Sequence, residues 1–438
     1  MKRSIVILLV VLALIVLISP GIVGWLAEKN LEEELAWAKQ ENPDFVVTTE
    51  KFDRGWFTSE GTHRISMRHG DLQSAMAPDE AMPSLIIDTR FDHGLVPFSS
   101  MSQPSGSLKP GLARMVSTLH VDDGRGNITN LPGAVYSETS LSGETTGQYL
   151  LEPGSNDDGD SVATWGGANL SFVVNNSSRD LSLKGEVQPW SYRSGLKNTD
   201  IGLITIDARQ TDTQYGFPVG ALSMSIDSLT VGGTDMGAGP ASEFYKLSIN
   251  GTSSIERDAL QARTQMSLER LVVPGFGDVG LSMDVVAKDL DAAAVGRISK
   301  AVNEARASAD PAAAVSDLFS VIRPDLEALL AAGGELRFDQ LDVSLPQGMI
   351  RSNLALTLAK STGPFSWPGA ILATTASADF EIPAMLVEMG RQMNPDAGNL
   401  VDMGLLQLDG DVYRMKAAFA GGLLTVNGAP MPLPLPGQ

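Results

Sequence analysis

The feature that most constrains the fold is a long series of short segments in which apolar and polar residues alternate. These segments fill residues 44–289, are rich in Val, Ile, Thr and Ser, and are separated by Gly, Asn, Asp or Pro. Alternation with a period of two is typical of antiparallel strands with one apolar and one polar face. The apolar face of such a sheet needs a cover. Residues 44–289 are therefore predicted to form a long, curved antiparallel sheet.

Residues 290–438 mix helical and strand patterns and are predicted to complete the same domain. Residues 289–308 and 311–332 are rich in Ala and have helical spacing of their apolar residues, which predicts two helices. Strand patterns return after them, and the glycine pair at 421–422 predicts the turn of a C-terminal hairpin. The Pro-rich tail, residues 429–438, is predicted to be extended.

The N-terminal segment predicts a membrane anchor. No residue between Arg3 and Glu28 is charged, and about 20 apolar residues suffice for a helix to cross the hydrocarbon core. Residues 4–27 are therefore predicted to be a single transmembrane helix, followed by a helical stalk over residues 28–43. A cleaved signal peptide is the alternative, but its apolar region is usually shorter.

Charges on either side of this segment predict its orientation. Residues 1–3 carry Lys2 and Arg3, whereas acidic residues follow the segment. The positive-inside rule places residues 1–3 in the cytoplasm and the rest of the chain across the membrane. The predicted fold class is therefore α+β and β-rich: one N-terminal transmembrane helix, then a long curved antiparallel sheet with a few packed helices.

The composition excludes several classes of site and partner. The chain has 32 Lys and Arg against 52 Asp and Glu, a formal net charge of −20, which disfavours nucleic acid and anionic lipid headgroups as direct partners. It contains no cysteine, so disulfides, thiolate metal sites and cysteine nucleophiles are excluded.

The segment FDRGWFTSEG is the first candidate site. Gly55 allows a bend, with Asp53 and Arg54 before it and the aromatic pair Trp56 and Phe57 after it. The charged residues can pair or cap backbone groups, and the aromatic pair can clamp the strand to the stalk or to the core. A structural corner is the preferred interpretation, and contact with a ligand is the alternative.

Asp92 and His93 form the second candidate, because a neighbouring carboxylate can orient a histidine as a base or metal ligand. The other histidines are His63, His69 and His120, and their spacing fits no standard metal motif. A structural histidine beside a turn is the preferred interpretation. No metal site and no cofactor are predicted.

Other motifs give no catalytic prediction. GFGDVG at 275–280 has the glycine spacing of a dinucleotide loop, but a strand pattern rather than a helix follows it, so it predicts a hairpin turn. Acidic clusters at 122–127 and 155–161 lack the EF-hand spacing and are interpreted as solvated turns. Met385, Met389 and Met393 form one helical stripe, which predicts packing against the sheet or an adaptable surface for apolar ligands or partners.

Several of these elements together resemble the YdgA-like bacterial envelope family, which contains a domain of unknown function. The matching positions are Arg54, Gly55, Phe57, Ser59, Asp92, His93, Gly94, Pro97, Asn427 and Gly428. The resemblance implies an inner-membrane protein that faces the periplasm, and it brings no catalytic residues. The architecture also resembles, more loosely, the AsmA-like envelope proteins, which are associated with lipid handling.

The sequence predicts a non-enzymatic, single-pass inner-membrane protein whose bulk lies in the periplasm. It would bind a lipid or another apolar ligand, or a partner in envelope assembly or maintenance. The alternative is a structural scaffold with a fully covered apolar face, which contacts a second copy of the chain or other envelope proteins. A periplasmic hydrolase comes last, because no catalytic motif supports it.

Overall fold

The computed structural model describes a protein dominated by antiparallel strands. The described residues are 45–67, 84–93, 113–122, 124, 126, 128–157, 159, 161–175, 177–195, 197–232, 242–273, 277–307, 311–361, 365–393 and 396–431.

These residues contain 24 strands and five helices. The first twelve strands are β1 (Phe45–Arg54), β2 (Thr58–Met67), β3 (Ser84–His93), β4 (Ala113–Asp122), β5 (Ile128–Thr139), β6 (Glu144–Leu151), β7 (Gly154–Asp157), β8 (Ser161–Trp165), β9 (Ala168–Asn175), β10 (Asp180–Val187), β11 (Trp190–Ser194) and β12 (Lys197–Ile201). The remaining strands are β13 (Ile204–Thr211), β14 (Val219–Gly232), β15 (Ser242–Glu256), β16 (Ala259–Val273), β17 (Gly277–Asp291), β18 (Gly334–Leu345), β19 (Gly348–Leu358), β20 (Thr374–Pro383), β21 (Gln407–Asp409), β22 (Val412–Ala420), β23 (Leu423–Val426) and β24 (Ala429–Met431). The helices are α1 (Ala292–Ala307), α2 (Pro311–Ala332), α3 (Trp367–Ala373), α4 (Ala384–Met393) and α5 (Asp396–Asp402).

The prediction of an α+β fold with a transmembrane helix is wrong for the part of the chain that the structure describes. Strands dominate it, and none of its helices combines the length and the apolar character that a bilayer crossing requires. Even α2, with 22 residues, carries charged side chains such as Asp317, Arg323 and Glu327. The predicted membrane segment, residues 4–27, and the stalk, residues 28–43, lie outside the described residues.

The chain divides into two compact units. In unit one, β1 to β6 form an antiparallel meander in chain order, and β9 and β10 follow β6 at its side. In unit two, β13 to β20 form a second meander that continues through β22, β23 and β24. A smaller ribbon of β7, β8, β11 and β12 joins unit two at β14.

Tight turns produce these meanders. Gly421 and Gly422 both have positive φ angles, of 58° and 82°, and Ala420 pairs with Leu423 across them. Two residues with positive φ are what a two-residue hairpin turn of the primed type requires. The predicted C-terminal hairpin is therefore confirmed.

The described core of unit two lies under the C-terminal helix pair. Val387 of α4 packs with Leu406 and Tyr413, and Ile382 and Met415 lie against this cluster. Because Tyr413 and Met415 are alternate residues of β22, they share one face of the sheet. The pair α4 and α5 therefore covers that face near β20 and β22.

Candidate functional site

The first candidate segment forms the turn between β1 and β2. The Gly55 amide donates a hydrogen bond to the Thr58 carbonyl at 2.8 Å, and a Cβ at Gly55 would lie 2.5 Å from that oxygen. Asp53 pairs with Lys51 on the exposed surface. Arg54 ends β1 and is exposed. The segment is thus a tight turn, and at position 55 any side chain would clash with the Thr58 carbonyl oxygen.

The aromatic pair of this corner does not enter a core. Trp56 is 56% exposed and Phe57 is 48% exposed. The exposure of the two rings argues against a clamp to the core, and the alternative clamp to the stalk concerns residues outside the described part of the chain. The Phe57 carbonyl has a different role, because it accepts a hydrogen bond from the His93 amide at 2.9 Å.

Asp92 and His93 are the last two residues of β3, and they project to opposite faces of the sheet because successive strand residues alternate. His93 is only 2% exposed, and its Nε2 lies 3.0 Å from Oγ of Ser59, which is 3% exposed. Asp92 therefore does not orient His93. Gly94 and Pro97 lie outside the described residues.

The opposite face of the same strands carries a charged ladder. Asp92, Arg114 and Glu138 are directly opposite one another on β3, β4 and β5. Arg114 is 2% exposed, and its Nη2 lies 3.5 Å from the Glu138 carboxylate. Buried ions of this kind need partners to offset their desolvation. Sequence inspection missed Arg114, because its partners become visible only with the strand register.

Serine and histidine at hydrogen-bond distance can form a nucleophile and its base. Here both side chains are buried, so a substrate could not reach the Ser59 hydroxyl in this conformation. The pair instead links the start of β2 to the end of β3. The resemblance had placed Ser59 and His93 among its matching positions, and this was the one sequence signal that could have connected them.

His63 is a second buried histidine in unit one. It is 6% exposed, and its Nδ1 lies 3.1 Å from Oγ1 of Thr49. Burial lowers the pKa of His63 from its ordinary value, an effect that the nearby Asp88 carboxylate partly opposes. Folding therefore shifts the ring toward its neutral form.

Unit two has a sheet with two chemically distinct faces. Across β13 to β18, residues that lie opposite one another form two consecutive apolar rows on one face, which we call the apolar face. The first row is Ile204, Ile226, Leu247, Leu268, Leu281 and Val343, and the second is Ile206, Met224, Ile249, Met266, Met283 and Leu341.

The apolar face is open to solvent. Each side chain in its two rows is half-buried or exposed. The face continues into β19, where Leu354 is 39% exposed and Leu356 is 40% exposed, opposite Phe338 and Leu336 of β18. Leucines in a closed core are usually almost completely buried. Six strands at a spacing of about 4.8 Å make this surface about 24 Å wide.

The reverse side of the same strands, which we call the polar face, carries two rows of hydrogen-bonding side chains. The first is Thr205, Ser225, Ser248, Ser267, Ser282 and Asp342, and the second is Asp207, Ser223, Asn250, Gln265, Asp284 and Gln340. The strict separation of the two faces is the direct product of the period-two pattern in the sequence.

An ion pair on the polar face connects β16 with β17. Arg263 donates to both carboxylate oxygens of Asp284, at 2.9 and 2.5 Å, and Gln265 donates to the second oxygen at 2.9 Å. The hydrogen bonds from Arg263 lower the pKa of the Asp284 carboxyl, although burial opposes them.

Not every methionine of the stripe in α4 packs against the sheet. Met385 is 60% exposed, and Met403, just after α5, is 63% exposed, whereas Val387 makes the contact with the core. The interpretation of the stripe as sheet packing is therefore wrong for Met385.

The glycine motif at 275–280 overlaps the start of β17. A dinucleotide loop would instead require that a helix begin at this point.

Comparisons with known proteins place the chain in a family. No curated protein and no solved structure matches it significantly, and the narrower resemblances to YdgA-like and AsmA-like proteins stay predictions. A model described as a bacterial protein of unknown function, DUF945, matches residues 1–434. The chain, over nearly its full length, therefore belongs to the bacterial DUF945 family.

Proposed function

We propose that the apolar face of unit two binds extended acyl chains, and that the protein is a non-enzymatic lipid-binding protein of the bacterial envelope. The observation that carries this proposal is the pair of apolar rows across β13 to β18, in which every side chain remains at least partly accessible. Apolar patches of this extent usually mark a binding surface.

The chemistry of the face favours a ligand without polar groups. Neither row contains a charged or hydrogen-bonding side chain, and the backbone groups of the central strands are engaged in the sheet ladders. Such a surface offers apolar contact alone, which is what an acyl chain can use. Met224, Met266 and Met283 lie in one row, and their flexible side chains adapt to a ligand of variable shape.

The charge of the chain restricts the headgroup. With a formal net charge of −20, the protein repels anionic headgroups at long range. We therefore propose that the acyl chains lie on the apolar face with the headgroups outside it, and that neutral or zwitterionic lipids bind more tightly than a fatty acid of equal chain length, whose carboxylate is anionic.

Delipidated full-length protein tests the proposal with a fluorescent fatty acid and a fluorescent zwitterionic phospholipid. Saturable binding of either probe, displaced by unlabelled lipid, is the expected result. Absence of binding, together with a concentration-dependent dimer whose crosslinks connect two apolar faces, would overturn the proposal in favour of the scaffold.

We further propose that the protein is located at the inner membrane with its sheet on the periplasmic side. The charge difference on either side of the uncharged N-terminal segment supports this location. Protease treatment of spheroplasts should then degrade the C-terminal part of the chain. Protection in spheroplasts, with degradation only after lysis, would contradict the location.

A further inference from the structure

A cavity lies in unit two along the polar face, on the reverse of the proposed lipid surface. It is a groove of about 590 Å³, a volume within the range of small-ligand sites. Ser225, Ser248, Ser267 and Ser282 contribute one residue each from four neighbouring strands. Their chain neighbours from the first apolar row, Ile226, Leu247, Leu268 and Leu281, also border the cavity, as does Met349 of β19. We call this cavity the polar groove.

Longer polar side chains line the polar groove next to these serines. Lys246 and Glu269 are among them, joined by an ion pair of 2.8 Å between Nζ and Oε2. Gln340 and Asp342 of β18 also line the groove. Short serine side chains beside longer neighbours leave room for a ligand that lies across the strands.

We infer that the polar groove binds a linear, neutral glycan. Sugar hydroxyls both donate and accept hydrogen bonds. Serine hydroxyls can likewise donate or accept, whereas the carboxylates and the glutamine side-chain oxygen accept. The row from Ser225 to Asp342 repeats at about 4.8 Å, once per strand, and spans about 19 Å. This repeat is close to that of the sugar units in an extended glycan, so about four units fit along the row.

The charges of the groove select against anionic glycans. Among the described residues, Asp227, Glu269 and Asp342 line it together with one cation, Lys246, which Glu269 already engages. Phosphorylated, sulfated or uronic glycans would meet unfavourable potential there. The described residues that line the groove include no aromatic side chain, which predicts modest affinity that depends on many hydrogen bonds.

Titration calorimetry with full-length protein and neutral linear oligosaccharides of two to six sugars tests this inference. We expect affinity to rise with length up to about four sugars and then to level off, because the row of polar side chains that lines the groove ends with Asp342 on β18. Sulfated oligosaccharides of equal length should bind at least tenfold more weakly. A sulfated ligand that binds as well as the neutral one would overturn the assigned class.

The double variant Ser248→Leu/Ser267→Leu fills the groove and removes two hydroxyls. Glycan affinity should fall at least tenfold, whereas fatty-acid binding should not change, because both residues face away from the apolar rows. Ser377→Leu is the matched control, an exposed serine on the polar face of β20 outside the groove. Equal glycan affinity in wild type and double variant, with unchanged melting temperatures, or no saturable binding by the wild type, would refute the inference.

Discussion

The double variant Leu354→Ser/Leu356→Ser separates an open binding face from a closed core. Both leucines lie on the apolar face of β19 and are about 40% exposed. Complete burial of a leucine side chain contributes about 1.5–3 kcal/mol. The exposed 40% of each side chain would therefore contribute about 0.6–1.2 kcal/mol when a ligand covers it. Loss of both contributions should weaken acyl-chain binding by about 10–50-fold.

The stability of the same variant gives an independent readout. The buried 60% of each side chain corresponds to about 1–2 kcal/mol, below most of the range of about 2–5 kcal/mol measured for fully buried leucines. Urea unfolding and displacement of a fluorescent fatty acid should be measured on the same samples. Asn353→Ser/Thr357→Ser is the matched control, because these residues lie on the same strand but on its polar face.

Three outcomes would refute the reasoning. Equal fatty-acid affinity in the leucine variant and in the control would show that the apolar face is not the binding surface. Weakened binding in the control would show that the polar face takes part. A loss of stability typical of two fully buried leucines would show that the face is closed in solution.

Four further predictions concern folding and pH. Gly296→Ala should destabilise the protein by about 1–3 kcal/mol, because its Cβ would lie 2.1 Å from the Tyr215 carbonyl oxygen; urea unfolding checks this, and unchanged stability would contradict it. Val387→Ala should cost about 1–3 kcal/mol, since Val387 is 7% exposed in the core cluster; calorimetry should show the loss, and a surface-like effect would contradict it. The pKa of His63 is lower in the folded protein than its ordinary value, so stability should fall as the pH drops below about 6.5. His63→Gln should reduce the dependence of the melting temperature on pH in this range, and an identical dependence in wild type and variant would refute the assignment. The pKa of Asp284 is also lowered, so its carboxylate stabilises the fold above pH of about 4 and loses this effect as the pH falls through the folded pKa; Asp284→Asn should be less stable than wild type at pH 7, with the difference narrowing in acid.

The strand content could be predicted from the sequence, and the reason is visible in β14. Its segment LSMSIDSLTV alternates apolar and polar residues, and the structure places Met224 and Ile226 on one face and Ser223 and Ser225 on the other. The tight turn at 421–422 was predictable for a similar reason, because adjacent glycines tolerate the positive φ that a primed turn requires.

Contacts between distant segments could not be predicted from the sequence. Asp92 and His93 are neighbours in the chain, but their side chains project to opposite faces. His93 reaches Ser59 of β2, and Asp92 lies in register with Arg114 of β4. Strand register decides these contacts, and a shift of one residue would exchange the two faces. The open state of the apolar face was also beyond prediction, because alternation reveals that a face is apolar and not what covers it.

Photo-crosslinking with a diazirine-bearing fatty acid, followed by peptide mapping, tests the central claim most directly. Delipidated full-length protein should incorporate the label in peptides from β14 to β19, at residues of the apolar rows such as Met266, Met283 and Leu354. An excess of unlabelled fatty acid should abolish this incorporation. Labelling confined to other segments, or labelling that unlabelled fatty acid does not reduce, would contradict the claim.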